Sequence, residues 1–348
     1  MQFDPLTMNH IQECIENFVS SEEYEQLGIG EYAGYSVLKS FERPFSIFTL
    51  VRLRGKKGSK NLYIKVFKNF YQVSQEEFET AIRNDFETSL FWYKRFQYFE
   101  EFATFRPIYC SIPHRMIITE ECKGVNLNDL IERYAKFYSP ADEFHRLLFY
   151  VKQVGKLLRT FQNFYQGSEV YDLRLLIEDV DIRLKKLVDN PHSRFTEQDR
   201  QKILNFYDSH LAIANRKPIP MKYVHSDFGP SNILVNGDKI ILHDFQEVKI
   251  APFLWDLTRF YHQLELFRYK PYWYPTSKIR KLQAAYLQGY GCIMGIQDIR
   301  FRFFLLRNYF THYVGVARLD GLPFLSKWYN KWVIYVHKKN INKLIKME

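Results

Sequence analysis

The chain is poor in cysteine. Its four, Cys14, Cys110, Cys122 and Cys292, are scattered without short pairing, which suggests neither a zinc ribbon nor a small disulfide framework and fits a reducing compartment. No run approaches the roughly 18 uninterrupted apolar residues of a membrane-spanning helix. The opening MQFDPLTMNHIQECIENF lacks the basic start and apolar stretch of a signal peptide. Internal repeats and low-complexity tracts are missing too, which sets aside solenoids and disordered tails. Together these absences predict a soluble, cytoplasmic protein.

Aromatic and basic residues are abundant. There are 31 Phe, 25 Tyr and 5 Trp, and 49 Lys+Arg against 39 Asp+Glu give a net charge of +10. That sign favours anionic partners such as nucleotides, phosphosugars, nucleic acid or acidic lipid headgroups, without choosing among them. At 348 residues the chain has room for two ordinary domains or one domain in two lobes.

Along the chain the texture changes twice. Ile11, Cys14, Ile15, Phe18 and Val19 share one helical face, so 1–34 reads as an N-terminal helical segment. YSVLKSF, SIFTLVRLR and NLYIKVF then read as three antiparallel strands, broken by ERPF and GKKGSK. A helix is predicted at about 74–99 from Phe78, Ile82, Phe86, Leu90 and Tyr93, followed by strands at FRPIYCSI and RMIITEEC. Asn126 is placed to cap a short helix. These elements make a five-stranded lobe over 35–122. From 123 to 348 the helical period dominates, notably at 141–165, 171–188, 196–214 and 296–318. The interruption KYVHSDFGPSNILVNGDKIILHDFQEV contains strand-like runs, an NGD turn and a DFGPSN loop. GIGEYAG at 28–34 reads as a linker, since it neither follows a strand nor opens a helix.

The informative pattern is His225-x-Asp227-x(4)-Asn232, with Asp244 ending an apolar strand twelve residues later. Phosphoryl transfer from ATP needs a carboxylate to orient the attacking hydroxyl and accept its proton, and oxygen ligands to hold Mg²⁺ against the phosphates. Asp227 suits the first role; Asn232 and Asp244 suit the second. A tight loop running into a hairpin predicts that the three converge.

At these residues the chain resembles the aminoglycoside phosphotransferase and choline kinase families, whose catalytic loop has the same His-x-Asp-x(4)-Asn form. WDLTRF at 255–260 is similar to those families' Asp-Leu after the metal site and gives Asp256 a structural role. The resemblance implies an α+β, two-lobed protein kinase-like fold with a small antiparallel five-stranded N-lobe and a larger helical C-lobe. It implies that Lys65 contacts the α- and β-phosphates and pairs with Glu87, Glu79 being the fallback. It also implies that backbone groups near Glu120, Glu121 and Cys122 form the hinge that meets adenine. Mg-ATP would bind between the lobes.

Two features depart from protein kinases. SFERPFS, between the first two strands, has no glycine, although Ser46 could contribute a phosphate contact; and Asp244-Phe245 is followed by Gln246 rather than glycine. Both fit small-molecule kinases better. His225 is read as a loop brace and His243 as a partly buried strand residue. A His-Asp phosphohydrolase is disfavoured because the other histidines lack helical ligand spacing.

The expected activity is transfer of the γ-phosphoryl of ATP to a small-molecule hydroxyl, with a sugar or glycan-linked molecule as the expected acceptor. An aminoglycoside or choline kinase is the nearby alternative, because fold analogy cannot name a substrate. Arg259, Tyr261, His262, Arg268, Tyr269, Tyr272 and Trp273 are candidates to border the acceptor. A catalytically silent scaffold would be expected to lose Lys65, Asp227, Asn232 or Asp244, and all are present. A specific nucleic-acid binder is disfavoured, as no recognition module appears. The basic, aromatic stretches LFRYKPYWYPTSKIRK and KWYNKWVIYVHKKNINKLIKM have two readings: helix packing with solvated lysines, or peripheral contact with a membrane.

Overall fold

The computed structural model describes residues 5–347 apart from 71, 271–272 and 293. The expected site residue Tyr272 lies outside the described residues. The chain divides into two compact units, residues 1–125 with 234–246, and residues 126–233 with 247–348.

The first unit runs α1 (Pro5–Val19), α2 (Glu22–Glu25), β1 (Tyr32–Arg43), β2 (Ser46–Gly55), β3 (Gly58–Phe67), α3 (Gln75–Phe96), β4 (Phe102–Ala103), β5 (Pro107–Ser111) and β6 (Met116–Glu120), and reaches β7 (Val125–Asn126). Its main sheet has the order β1-β2-β3-β6-β5, every pair antiparallel. Two-residue turns close the first hairpins, Pro44-Phe45 before Ser46 and Lys56-Lys57 between Gly55 and Gly58. Gly55 is required, since a Cβ there would overlap the carbonyl oxygen of Ile29.

Alternation in β3 decides what each face does. Leu62, Ile64 and Val66 join Ile11, Cys14, Ile15 and Phe18 of α1 in one core cluster, with Val51 and Leu53 of β2. The expected separate segment 1–34 is therefore part of this unit's core, and β1 already begins inside the expected linker 28–34. The opposite face of the sheet carries Phe67 and Ile117, which pack on Phe78 and Ile82 of α3. A capping box fixes the start of α3: Ser74 Oγ accepts from the Glu77 amide and the Glu77 carboxylate accepts from the Ser74 amide, together contributing about 1 kcal/mol.

A second sheet has the order β4-β10-β9-β7, where β9 (Ile233–Asn236) and β10 (Lys239–Leu242) form a hairpin about Gly237, which has φ +59°. From Leu234 to Gln246 this hairpin and the residues after it belong to the first unit, not to the helical region expected from 123 onward.

The second unit holds α4 (Leu127–Tyr134), α5 (Ala141–Asn163), α6 (Leu173–Val188), α7 (Glu197–Ala214), β8 (Met221–Val224), β11 (Lys249–Pro252), α8 (Leu254–Phe267), α9 (Thr276–Tyr290), α10 (Ile299–Val316) and α11 (Phe324–Ile345). At its centre α10 is buried nearly all round, through Phe301, Phe303, Phe304, Leu306 and Phe310, as expected of a core helix. Its charged Arg307 is accommodated by Asp179 at 2.8 Å and by the ring of Trp255 at 3.8 Å. Helices α5 and α9 touch backbone to backbone: a Cβ on Gly155 would overlap the Tyr286 carbonyl, and one on Gly289 the Lys152 carbonyl. Asn126 caps α4 as expected, accepting from the Asn128 amide at 2.9 Å.

Candidate functional site

In the first unit, Lys65 lies on the face of β3 that looks toward α3. Its ammonium donates to Asp85 Oδ2 at 2.7 Å and sits 4.4 Å from the ring centre of Phe67. A lysine among apolar residues requires such a partner. The partner is Asp85, not Glu87 or the fallback Glu79. Asp85 continues the buried stripe of Phe78 and Ile82, whereas Glu87 lies two residues around the helix and is exposed, and Glu79 accepts from Gln75. The same Asp85 oxygen accepts from Gln246 Nε2 at 2.7 Å.

Gln246 belongs to the short stretch after β10. Asp244 there is exposed and has φ +70°, in the left-handed region that an aspartate enters only at a cost. Phe245 is buried and stacks on Trp92 of α3 at 5.7 Å between centroids. His243 is partly buried and stacks on Phe105 at 5.0 Å. The acidic loop is thus anchored on both sides of Asp244.

The residues expected to meet adenine are partly committed elsewhere. The Glu120 amide donates to the Arg106 carbonyl and the Glu121 amide to the Asn61 carbonyl, at 2.9 and 3.0 Å. The Glu120 side chain pairs with Lys60 at 2.8 Å, and Glu121 accepts from Asn61 at 2.9 Å. Ser46 is buried at the first position of β2, where it pairs with Phe67 in the register.

In the second unit the catalytic-type loop follows β8. Asp227 is half exposed at 50% of its side chain. Its Oδ2 accepts from Asn232 Nδ2 at 2.9 Å, and the same nitrogen donates to the Asp227 carbonyl at 2.9 Å. With its nitrogen so used, Asn232 retains its amide oxygen as a hard donor of the kind Mg²⁺ prefers. The other oxygen of Asp227 contacts the guanidinium of Arg259 from α8.

The loop is held from beneath by Asp256, which is fully buried. Its carboxylate accepts from the backbone amides of His225 at 2.5 Å and Ser226 at 3.0 Å. The second of these amides belongs to Ser226, which like Asp244 is a non-glycine residue in the left-handed region, at φ +67°. Burial pushes the Asp256 carboxyl up to about 7, against the lowering effect of those amides and of Arg259. The buried His225 ring lies between Phe161 and Phe228, at 6.3 and 6.2 Å.

Of the expected acceptor residues, Arg259 is brought to Asp227. His262 and Tyr269 are not available to line an open site, because the inner face of α8 and the turn after it bury them. His262 packs with His312 and His337, and burial drives it well below the ordinary histidine range. The Tyr269 hydroxyl bonds His337 Nδ1 at 2.9 Å. Tyr261 meets Phe301 edge-on at 5.2 Å, Arg268 pairs with Glu265, and Trp273 is half exposed, with the Lys136 ammonium 5.9 Å from its ring.

Asp85 and Gln246 are the site residues that sequence reasoning missed. A signal for Asp85 was present, since it stands at i+7 and i+3 from Phe78 and Ile82, an acid on an otherwise apolar stripe.

Residues 140–301 match the model of the phosphotransferase enzyme family. No curated protein matches the chain in sequence. Among solved structures, a Plasmodium vivax ethanolamine kinase is 11% identical, with a TM-score of 0.54 over 89% of this chain and 83% of that one. A choline/ethanolamine kinase family protein from Mesorhizobium loti is 10% identical, with a TM-score of 0.52 over 97% and 98%. An aminoglycoside phosphotransferase in ternary complex with ADP and hygromycin B is 14% identical, with a TM-score of 0.53 over 92% and 98%. The fold is therefore protein kinase-like, and the chain resembles the aminoglycoside phosphotransferase and choline kinase group.

Proposed function

We propose that this chain, a kinase of the small-molecule phosphotransferase kind, transfers the γ-phosphoryl of ATP to a hydroxyl of a neutral or acidic sugar, free or carried on a glycan. The observation that carries the acceptor class is the Arg259 guanidinium on the Asp227 carboxylate. Neutralised by this pairing, Asp227 offers little net negative charge to draw choline-like or aminoglycoside-like cations. Toward an anionic or hydroxyl-rich acceptor the guanidinium offers planar donors.

Asp227 takes the role of base: it is exposed enough for a hydroxyl to reach, and Asn232 and Arg259 hold its orientation. Asp256 fixes the loop amides that set the position of Asp227. Lys65, steadied by Asp85, meets phosphate oxygens. Asp244 in the first unit and Asn232 in the second each carry an oxygen of the kind Mg²⁺ prefers, and each would serve as a donor to it. When bound, the ion neutralises charge on the phosphates.

The test is ATP consumption measured with Mg²⁺ against a panel of neutral sugars, uronic and other acidic sugars, choline, and an aminoglycoside. Turnover is expected with a sugar and fastest with an acidic or neutral one. Faster phosphorylation of choline or the aminoglycoside would overturn the acceptor class. Nucleotide binding without turnover of any acceptor would favour a silent binding protein.

A further inference from the structure

Helix α11 has two ordered faces, where packing within the chain needs one. Val333, His337, Ile341 and Leu344, spaced i, i+4, i+8 and i+11, are buried. Phe324, Trp328, Trp332 and Tyr335 repeat the same spacing starting nine residues earlier, about two and a half turns, which places them on the opposite side. That second stripe is exposed: 80% of Phe324 and 66% of Trp328 face solvent, with Leu325 beside them. Large aromatic side chains in an unbroken exposed row mark a contact surface.

Charge indicates what the surface meets. Helix α11 contains Lys327, Lys331, Lys338, Lys339 and Lys343 and no acidic residue. Lys338 is engaged with Asp199 at 2.8 Å, while Lys327, Lys331 and Lys339 border the exposed stripe by helical phase. The Trp332 indole donates to the Tyr269 carbonyl at 2.8 Å, which ties this face to the stretch 266–281, itself basic and without an acid. A second copy of the chain fits poorly, because a two-fold contact would set these lysines against one another. Among the described residues no helix is long and apolar enough to cross a membrane.

We propose that α11 docks the protein on an anionic lipid surface, lying in the plane of the headgroups. Phe324, Leu325, Trp328 and Trp332 enter the boundary between headgroups and acyl chains. Lys327, Lys331 and Lys339 extend to the phosphates, their stems covering apolar surface.

The test is sedimentation of the full chain with vesicles of phosphatidylcholine alone and of phosphatidylcholine with phosphatidylglycerol at roughly three to one. Binding is expected to the mixed vesicles, with a blue shift in tryptophan emission. Phe324→Ser with Trp328→Ser, and separately Lys327→Glu with Lys331→Glu, should each lower partitioning by about tenfold or more, while thermal melting shows both variants folded. The charge pair keeps the test open should the aromatic pair fold poorly. The proposal is overturned if the unaltered chain ignores anionic vesicles, or if both variants bind as it does. It is equally overturned if the chain self-associates in buffer and the aromatic variant removes that association in place of lipid binding.

Discussion

Lys65 and Gln246 hydrogen-bond to the same oxygen of Asp85, each at 2.7 Å. One carboxylate on α3 thereby ties Lys65 of β3 to the residue two places after Asp244. With Phe245 stacked on Trp92, the acidic loop is fixed to the helix rather than hinged beside it, consistent with a glutamine in place of glycine after Asp244-Phe245.

Asp85→Ala removes the partner of a largely buried ammonium and should destabilise the protein by about 1–3 kcal/mol. It should also weaken nucleotide binding. Glu87→Ala should stay within about 0.5 kcal/mol of the parent. Denaturant unfolding of the two variants checks the assignment, and equal losses would show that Asp85 is not the functional partner.

That pairing marks what was legible in the sequence. The spacing of Asp227, Asn232 and Asp244 is local and could be read directly, as could the strands through Lys65 and the cap at Asn126. The lysine's partner depended on the rotational phase of α3. The resemblance implies Glu87 as that partner, whereas the buried stripe of α3 runs through Phe78, Ile82, Asp85, Trp92 and Phe96 and carries Asp85. One turn of phase in a helix aromatic on several sides is not fixed by periodicity alone. The acceptor side was read least well, because burial of His262 and Tyr269 depends on α10 and α11, far along the chain.

Asp227→Asn should lower phosphoryl transfer by about two to four orders of magnitude, the range for losing a positioned base. Nucleotide affinity should be nearly unchanged. Asp244→Asn should instead weaken Mg²⁺-dependent nucleotide binding. Calorimetric titration alongside turnover separates them; the reverse pattern would exchange the two roles.

Asp256 gives a signed pH effect. An aspartate in the unfolded chain releases its proton near 4, whereas burial holds the Asp256 carboxyl up to about 7. Between these values the folded state binds the extra proton, so this group's contribution to stability falls as pH rises from about 4 to 7. In Asp256→Asn that component should vanish, leaving a flatter stability profile over the same interval. A profile as steep as the parent's would assign the slope to other groups.

Gly289→Ala places a methyl group against the Lys152 carbonyl, where α5 and α9 meet backbone to backbone. The helices must separate, at a cost of about 1–3 kcal/mol. Gly315→Ala, with open space around its Cβ position, is the control and should be neutral or slightly stabilising in thermal melts.

The chain passes between its two compact units at 125/126, 233/234 and 246/247. Neither unit is a continuous stretch of the gene. Lys65 and Asp85 are encoded early, while Gln246, which completes their hydrogen-bonded group, is encoded well past the midpoint and inside sequence that otherwise builds the helical unit. A truncation after residue 125 would inherit the lysine without the hairpin that carries Asp244. A fragment starting at 126 would carry that hairpin with no sheet of its own unit to receive it. Each unit is therefore completed only by residues drawn from both sides of the other's sequence, so neither can be cut out of the chain as a single segment.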